Sequence, residues 1–146
     1  MKNKNQIAFL IILFASVYAA LAFVILPTIL YGARGQEKTP VPDQTVRDFY
    51  DWYLSYPGNP LTEKAYRSNV ALSDDFIHQL DEQTAGELIA DPLLCAQDVP
   101  ESVTISRAEI SDQSAEVEVD TSLGNRFTVR LAMEKNVWKI VEVICQ

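Results

Sequence analysis

From Asp43 to Ser55 the apolar side chains return at helical spacing. Val46, Phe49, Tyr50 and Tyr53 fall at i, i+3, i+4 and i+7, while Arg47, Asp48, Asp51 and Ser55 take the opposite side. The pattern predicts an amphipathic helix capped by Asp43 and stopped by Pro57-Gly58-Asn59-Pro60. Five aromatic residues crowd the ten positions from Asp48 to Pro57, and most fall on the apolar arc, which makes them core. Trp52 projects about 120° from Val46, at the margin of that arc. It is a candidate surface contact; the plainer alternative is packing against a neighbouring loop. Shorter helices are expected over Leu61 to Arg67 and after Ser73, with Asp74 and Asp75 suited to the first turn. Thr84 to Ala90 adds a further turn or two, and Asp91-Pro92 ends the helical half.

From Ser102 onward the period becomes two. Ala115, Val117 and Val119 alternate with Glu116, Glu118 and Asp120, and Phe127, Val129, Leu131 and Met133 alternate with Thr128, Arg130, Ala132 and Glu134. Four antiparallel strands are expected, roughly 102 to 110, 114 to 121, 126 to 133 and 137 to 145. A three-residue loop at Leu123-Gly124-Asn125 sets Val117 opposite Leu131 and Glu118 opposite Arg130. A two-residue turn at Lys135-Asn136 sets Met133 beside Trp138 and Leu131 beside Ile140. In that unbroken register Glu142 points into the core, where a carboxylate of raised pKa is useful as acid or base. A β-bulge near Val141 is the favoured reading, turning Glu142 outward and Val143 inward and sparing the cost of a buried unpaired charge.

Ahead of this domain, Ile7 to Leu30 is an uncharged 24-residue run. As a helix it spans about 36 Å against a hydrocarbon core of roughly 30 Å. Lys2 and Lys4 precede it and favour a cytoplasmic N-terminus. Residues 1–31 are therefore read as a transmembrane signal-anchor or a cleaved signal peptide, 32–42 as a linker, and 43–146 as an extracytoplasmic domain. The chain is a single-pass membrane protein on the first reading and secreted on the second.

Charge narrows the partners. Residues 39–146 carry eight basic and nineteen acidic side chains, a net charge of −11. Such a domain repels phosphate backbones, so nucleic acid is excluded as a partner. No phosphate loop or metal-type Cys/His cluster is present, and no cofactor is expected. Cys95 and Cys145 are the only cysteines, and both fall in the exported part, where a disulfide is the economical reading. Free thiols with one nucleophile are the alternative, and they need a histidine partner. The sole histidine, His78, has Asp74, Asp81 and Glu82 nearby in sequence but points away from the face defined by Phe76, Ile77 and Leu80. In Asp91-Pro-Leu-Leu-Cys-Ala-Gln-Asp98, capping of the loop is a better role for the acids than metal binding.

Phe49-Tyr-Asp-Trp-Tyr53, Asp91-Pro-Leu-Leu-Cys-Ala-Gln-Asp98 and Trp138-Lys-Ile-Val-Glu-Val-Ile-Cys145 together resemble the exported bacterial family called domain of unknown function 3828, within the nuclear-transport-factor-2-like superfamily. The resemblance implies an α+β fold, with short helices packed on a four-stranded curved antiparallel sheet as a helix-lined cone. It implies no activity, and the isomerase pair known in that superfamily finds no matching residues here. The expected function is non-catalytic binding of a small ligand or a partner protein, with Tyr50, Tyr53 and Glu142 bordering any pocket in the cone. A small hydrolase or isomerase using a cone carboxylate such as Glu142 is the alternative. A homodimer or protein partner is expected to use the sheet face that carries Glu116, Glu118, Thr128, Arg130 and Lys139.

Overall fold

A computed structural model describes residues 41–146. Among them no helix is long and apolar enough to cross a membrane. The apolar run from Ile7 to Leu30, and with it the expected anchor or signal peptide, lies outside the described residues.

Helix α1 runs over Pro42–Ser55, and helix α2 over Asp74–Gln83. The first starts two residues earlier than an Asp43 cap implies: Pro42 takes the first helical position, and Asp43 falls in the first turn without capping it. Proline's preset φ and missing N–H suit that place. Ser73 caps α2 as its sequence suggests, accepting a hydrogen bond from the Phe76 N–H at 3.2 Å. The helix expected over Leu61 to Arg67 is a run of turns ending in a 3-10 helix at Ala65–Ser68. Thr84 to Ala90 is not helical but an open loop.

Strands β1 (Val103–Ile105), β2 (Glu109–Ser111), β3 (Ser114–Thr121), β4 (Arg126–Glu134) and β5 (Val137–Cys145) form one antiparallel sheet, in which β3, β4 and β5 are consecutive neighbours. The sheet has five strands, not the expected four, because the edge strand over 102 to 110 breaks. Ile105 pairs with Val119 and Glu109 with Glu116, so Ser106, Arg107 and Ala108 face only two residues of β3. That extra residue is a bulge. Ser106 closes it by donating its N–H to the Glu118 carbonyl and accepting the Glu118 N–H on its hydroxyl, both at 3.0 Å.

The β3–β4 register is two residues from the expected one: Val117 opposes Val129, and Glu116 opposes Arg130. The cause is Gly124, whose φ of +86° belongs at the last position of a three-residue loop, so the loop is Ser122-Leu123-Gly124. A shift of two leaves each side chain on its face. At the next hairpin Lys135 and Asn136 both have positive φ, and Leu131 pairs with Ile140 and Met133 with Trp138, as expected.

Helix α1 packs across β1, β3 and β5, and α2 against β5. The core between them is built from Val46, Phe49, Tyr50, Leu80, Leu93, Leu94, Val117, Phe127 and their neighbours, all buried. Burying each such side chain is worth about 1.5 to 3 kcal/mol. The other sheet face meets solvent.

Candidate functional site

The opening crowd of aromatics is mostly structural. Phe49 and Tyr50 are buried with ring centroids 5.1 Å apart, and Tyr50 reaches Phe127 on the sheet at 5.7 Å. Trp52 is half-buried among Phe49, Tyr53 and Tyr56. Its ring packs on the core margin instead of standing clear as a separate contact.

Tyr50 and Tyr53 lie in the packed core. Both rings fill the core, and their hydroxyls are spent on the segment Asp91–Ala96. Tyr50 donates to the Leu93 carbonyl at 2.8 Å, and Tyr53 to Asp91 Oδ2 at 2.6 Å. The other Asp91 oxygen accepts the N–H groups of Leu93 and Leu94 at 2.8 and 3.2 Å, an Asx turn. The Asp91 N–H donates to the Ala96 carbonyl at 2.8 Å, so the chain enters and leaves this turn side by side. Burial pushes the Asp91 carboxyl above the usual carboxylate range, outweighing its three donors. Burial, then the Asp91 charge, pushes the Tyr53 hydroxyl up, and Tyr50 rises for the same two reasons.

The same turn is fastened from two more sides. Cys95 is joined to Cys145 at the end of β5, with Cα atoms 5.4 Å apart, and Asn125 Nδ2 donates to the Cys95 carbonyl at 3.3 Å. The disulfide expected from the sequence is present, which removes both thiols from nucleophilic chemistry. Cys95 also holds a φ of 52°, unusual for a residue with a Cβ and kept only where its surroundings enforce it.

A second tyrosine–aspartate pair stands at the end of α2. Tyr66 donates to Asp81 Oδ1 at 2.6 Å, where Arg67 Nε also donates at 2.8 Å. The Arg67 donor, then Tyr66, holds the Asp81 carboxyl below its ordinary value. Thr84 donates its hydroxyl to the Leu80 carbonyl at 2.7 Å and lies 3.2 Å from the Tyr66 hydroxyl. The loop from Thr84 to Ala90 is thus gripped at one foot by Tyr66–Asp81 and at the other by Tyr53–Asp91.

Between those feet the loop stands off the body. Residues 85–90 are all exposed, and a Cβ built on Gly86 meets nothing within 4 Å. Ile89 is 84% exposed and Leu88 38%, and Val99, three residues past the turn, is 62% exposed. A loop fastened this firmly and tipped with bare aliphatic side chains is the candidate site.

Glu142 lies elsewhere. Arg130 pairs with Glu142 and Leu131 with Ile140, so Val141 is the bulged residue and Glu142 turns to the solvent face. There Arg130 bridges Glu142 at 2.5 Å and Glu116 at 3.1 Å. The expected clustering of Glu142 with Tyr50 and Tyr53 is corrected: they sit on opposite sides of the sheet, and the cone general base loses its carboxylate. A shallow groove of about 200 Å³ opens on the solvent face beside the edge bulge, lined by Ser106, Arg107, Glu109, Glu116, Glu118 and Thr128. No acidic or Cys/His cluster able to hold a metal occurs among the described residues. His78 is exposed on α2.

Against known proteins, no family model matches the chain, and no curated protein matches it. Two solved structures do. One is a chain of the native type VI effector–immunity complex Tae3–Tai3 from Ralstonia pickettii, with TM-score 0.62, 20% identity, and coverage of 73% of this chain and 95% of that one. The other is the selenomethionine form of the same complex, with TM-score 0.57, 23% identity, and coverage of 72% and 96%. The likeness establishes the fold, and it replaces the nuclear-transport-factor-2-like cone expected from the sequence.

The sequence reading missed the loop itself, having assigned Thr84 to Ala90 to a helix. Gly86 and the neighbouring Leu88-Ile89-Ala90, with no polar side to an amphipathic turn, were the signal.

Proposed function

We propose that this chain is an exported, non-catalytic protein that acts by forming a complex with a second protein, as a member of an effector–immunity type of pair. One observation carries the reading: the loop from Thr84 to Ala90 is anchored at both feet yet leaves Leu88 and Ile89 bare. A loop held at both feet loses less entropy on binding than a free segment, which favours affinity from a small surface.

Other features support it. Solved chains of this fold come from a two-protein complex. The polar groups best suited to catalysis are engaged in structure: both cysteines in a disulfide, Asp91 in a turn, Glu142 in an ion pair. Export is supported by the disulfide, which persists in oxidising compartments, and by the uncharged run from Ile7 to Leu30 in the sequence. On the sheet face, Arg130 already answers Glu116 and Glu142, and Arg126 answers Asp120, so a homodimer there gains little.

The test is isolation of the tagged full chain from its own host without reductant, followed by reconstitution from purified proteins. A stoichiometric complex of two proteins with a Kd of about 1 μM or tighter is expected. If every co-isolated protein stays separate from the full chain at ten times that concentration, the reading is wrong.

A further inference from the structure

Resting on that reading, we infer that the loop from Thr84 to Ala90 is the docking element, and that its occupant is a protein offering an apolar pocket inside a basic rim. The apolar half follows from exposure. Ile89 and Leu88 extend from a segment whose two feet are pinned by the Tyr66–Asp81 and Tyr53–Asp91 hydrogen bonds, so the loop has less freedom to lose on docking than a free segment. Val99, three residues past the turn, is also exposed, and the Asp91–Ala96 bridge draws together the segments that enter and leave it.

The basic half follows from how charge is distributed. Between Arg67 and Arg107 the chain contains no lysine or arginine, and it carries eight acidic residues, among them Glu82, Glu87, Asp91 and Asp98 around the loop. Within that span only Asp81 holds a cation, Arg67, whereas on the sheet face Glu116 and Glu142 share Arg130 and Asp120 holds Arg126. Glu82, Glu87 and Asp98 are in no ion pair among the described residues and have no lysine or arginine near them in sequence, so the surroundings of the aliphatic tips are negative. A complementary partner carries the opposite sign around an apolar centre, which speeds encounter and rejects like-charged surfaces. The same field opposes a second copy of this chain docking through its own loop.

The test places a benzophenone photo-crosslinking side chain at position 89, or at position 137 as a control at the exposed start of β5, in the full-length chain within its host. The protein captured is then purified and titrated against the full chain and its Ile89→Asp and Val137→Asp variants, each checked for an unchanged melting temperature. Capture through position 89, a loss of about 30-fold or more in affinity for Ile89→Asp, and a change within twofold for Val137→Asp are expected. Raising NaCl from 50 to 500 mM should slow association by about tenfold. Capture only through position 137, or unchanged affinity for Ile89→Asp, overturns the loop assignment and leaves the partner-binding reading standing. An adduct of twice the chain mass replaces the partner with a second copy, and salt-insensitive association removes the basic rim. Absence of adducts at both positions, with no partner isolated by co-purification, defeats the reading on which the inference rests.

Discussion

Tyr53 donates its hydroxyl to Asp91 across 38 residues of sequence, at 2.6 Å, joining the last turn of α1 to the turn that begins the second half of the domain. The carboxylate is partly desolvated, so removing its donor leaves charge short of a partner. Replacing Tyr53 with Phe keeps the ring and should cost about 1.5 to 3 kcal/mol, the range for hydrogen bonds to charged groups. Urea unfolding at pH 7 measures it directly. A midpoint within error of the wild type would mean that the contact contributes nothing.

Alkaline pH should destabilise this domain earlier than its composition suggests. Tyr50 and Tyr53 have folded-state pKa values raised above the ordinary value near 10, chiefly by burial. Above pH 10 the unfolded chain releases those two protons while the folded one keeps them. The stability they contribute is thus complete below pH 10 and lost as pH rises beyond it, by up to about 1.4 kcal/mol per pH unit for each tyrosine. Urea midpoints at pH 9, 10 and 11 report the slope, and Tyr50→Phe should reduce it by nearly half. A flat profile would show that the phenols ionise freely when folded.

Much of this architecture was legible wherever one side-chain face repeats. The amphipathic spacing around Phe49 and Tyr53, the Ser73 cap, the two-residue turn at Lys135-Asn136 and the pairing of Cys95 with Cys145 all follow from local chemistry or from compartment. The register of β3 against β4 was missed by two because alternation alone cannot tell shifts of two apart, and only the αL demand of Gly124 can. The break at Ser106–Ala108 leaves no trace because, beyond it, Glu109, Ile110 and Ser111 are all exposed and give no alternation to read. The candidate loop was hidden for a different reason. Its shape is set by contacts far along the chain, Tyr53 with Asp91 and Tyr66 with Asp81, and no local pattern encodes them.

Val141 offers a test of how the last strand serves both faces. Because it is the extra residue of a bulge, deleting it leaves Ile140 inward, Glu142 outward and Val143 inward, with Cys145 still opposite Phe127. The shortened chain should fold with its disulfide closed, at a cost of about 1 to 2 kcal/mol for lost packing. Deleting Val143 instead reverses every later residue, places Ile144 inward and turns Cys145 toward solvent, away from Cys95. Thiol titration of the denatured proteins should find no free thiols in the first deletion and two in the second. Two free thiols in both would show that the bulge is needed to aim Cys145.

The disulfide ties the strand that ends the sheet to the turn that supports the loop, so its loss should be felt at both. Cys95 and Cys145 are separated by 50 positions, and opening that loop costs about 4 kcal/mol on the chain-entropy estimate. The double variant Cys95→Ser, Cys145→Ser should lower the urea midpoint by that free energy. It should also let residue 95 relax from its left-handed backbone, since the bond to Cys145 is one of the ties that hold it there. Amide exchange should then quicken first over residues 91–99 while the β3–β4 pairing stays protected, because the turn opens before the sheet does. Uniform acceleration across the domain would mean instead that the crosslink stabilises the whole fold and gives the loop no separate support.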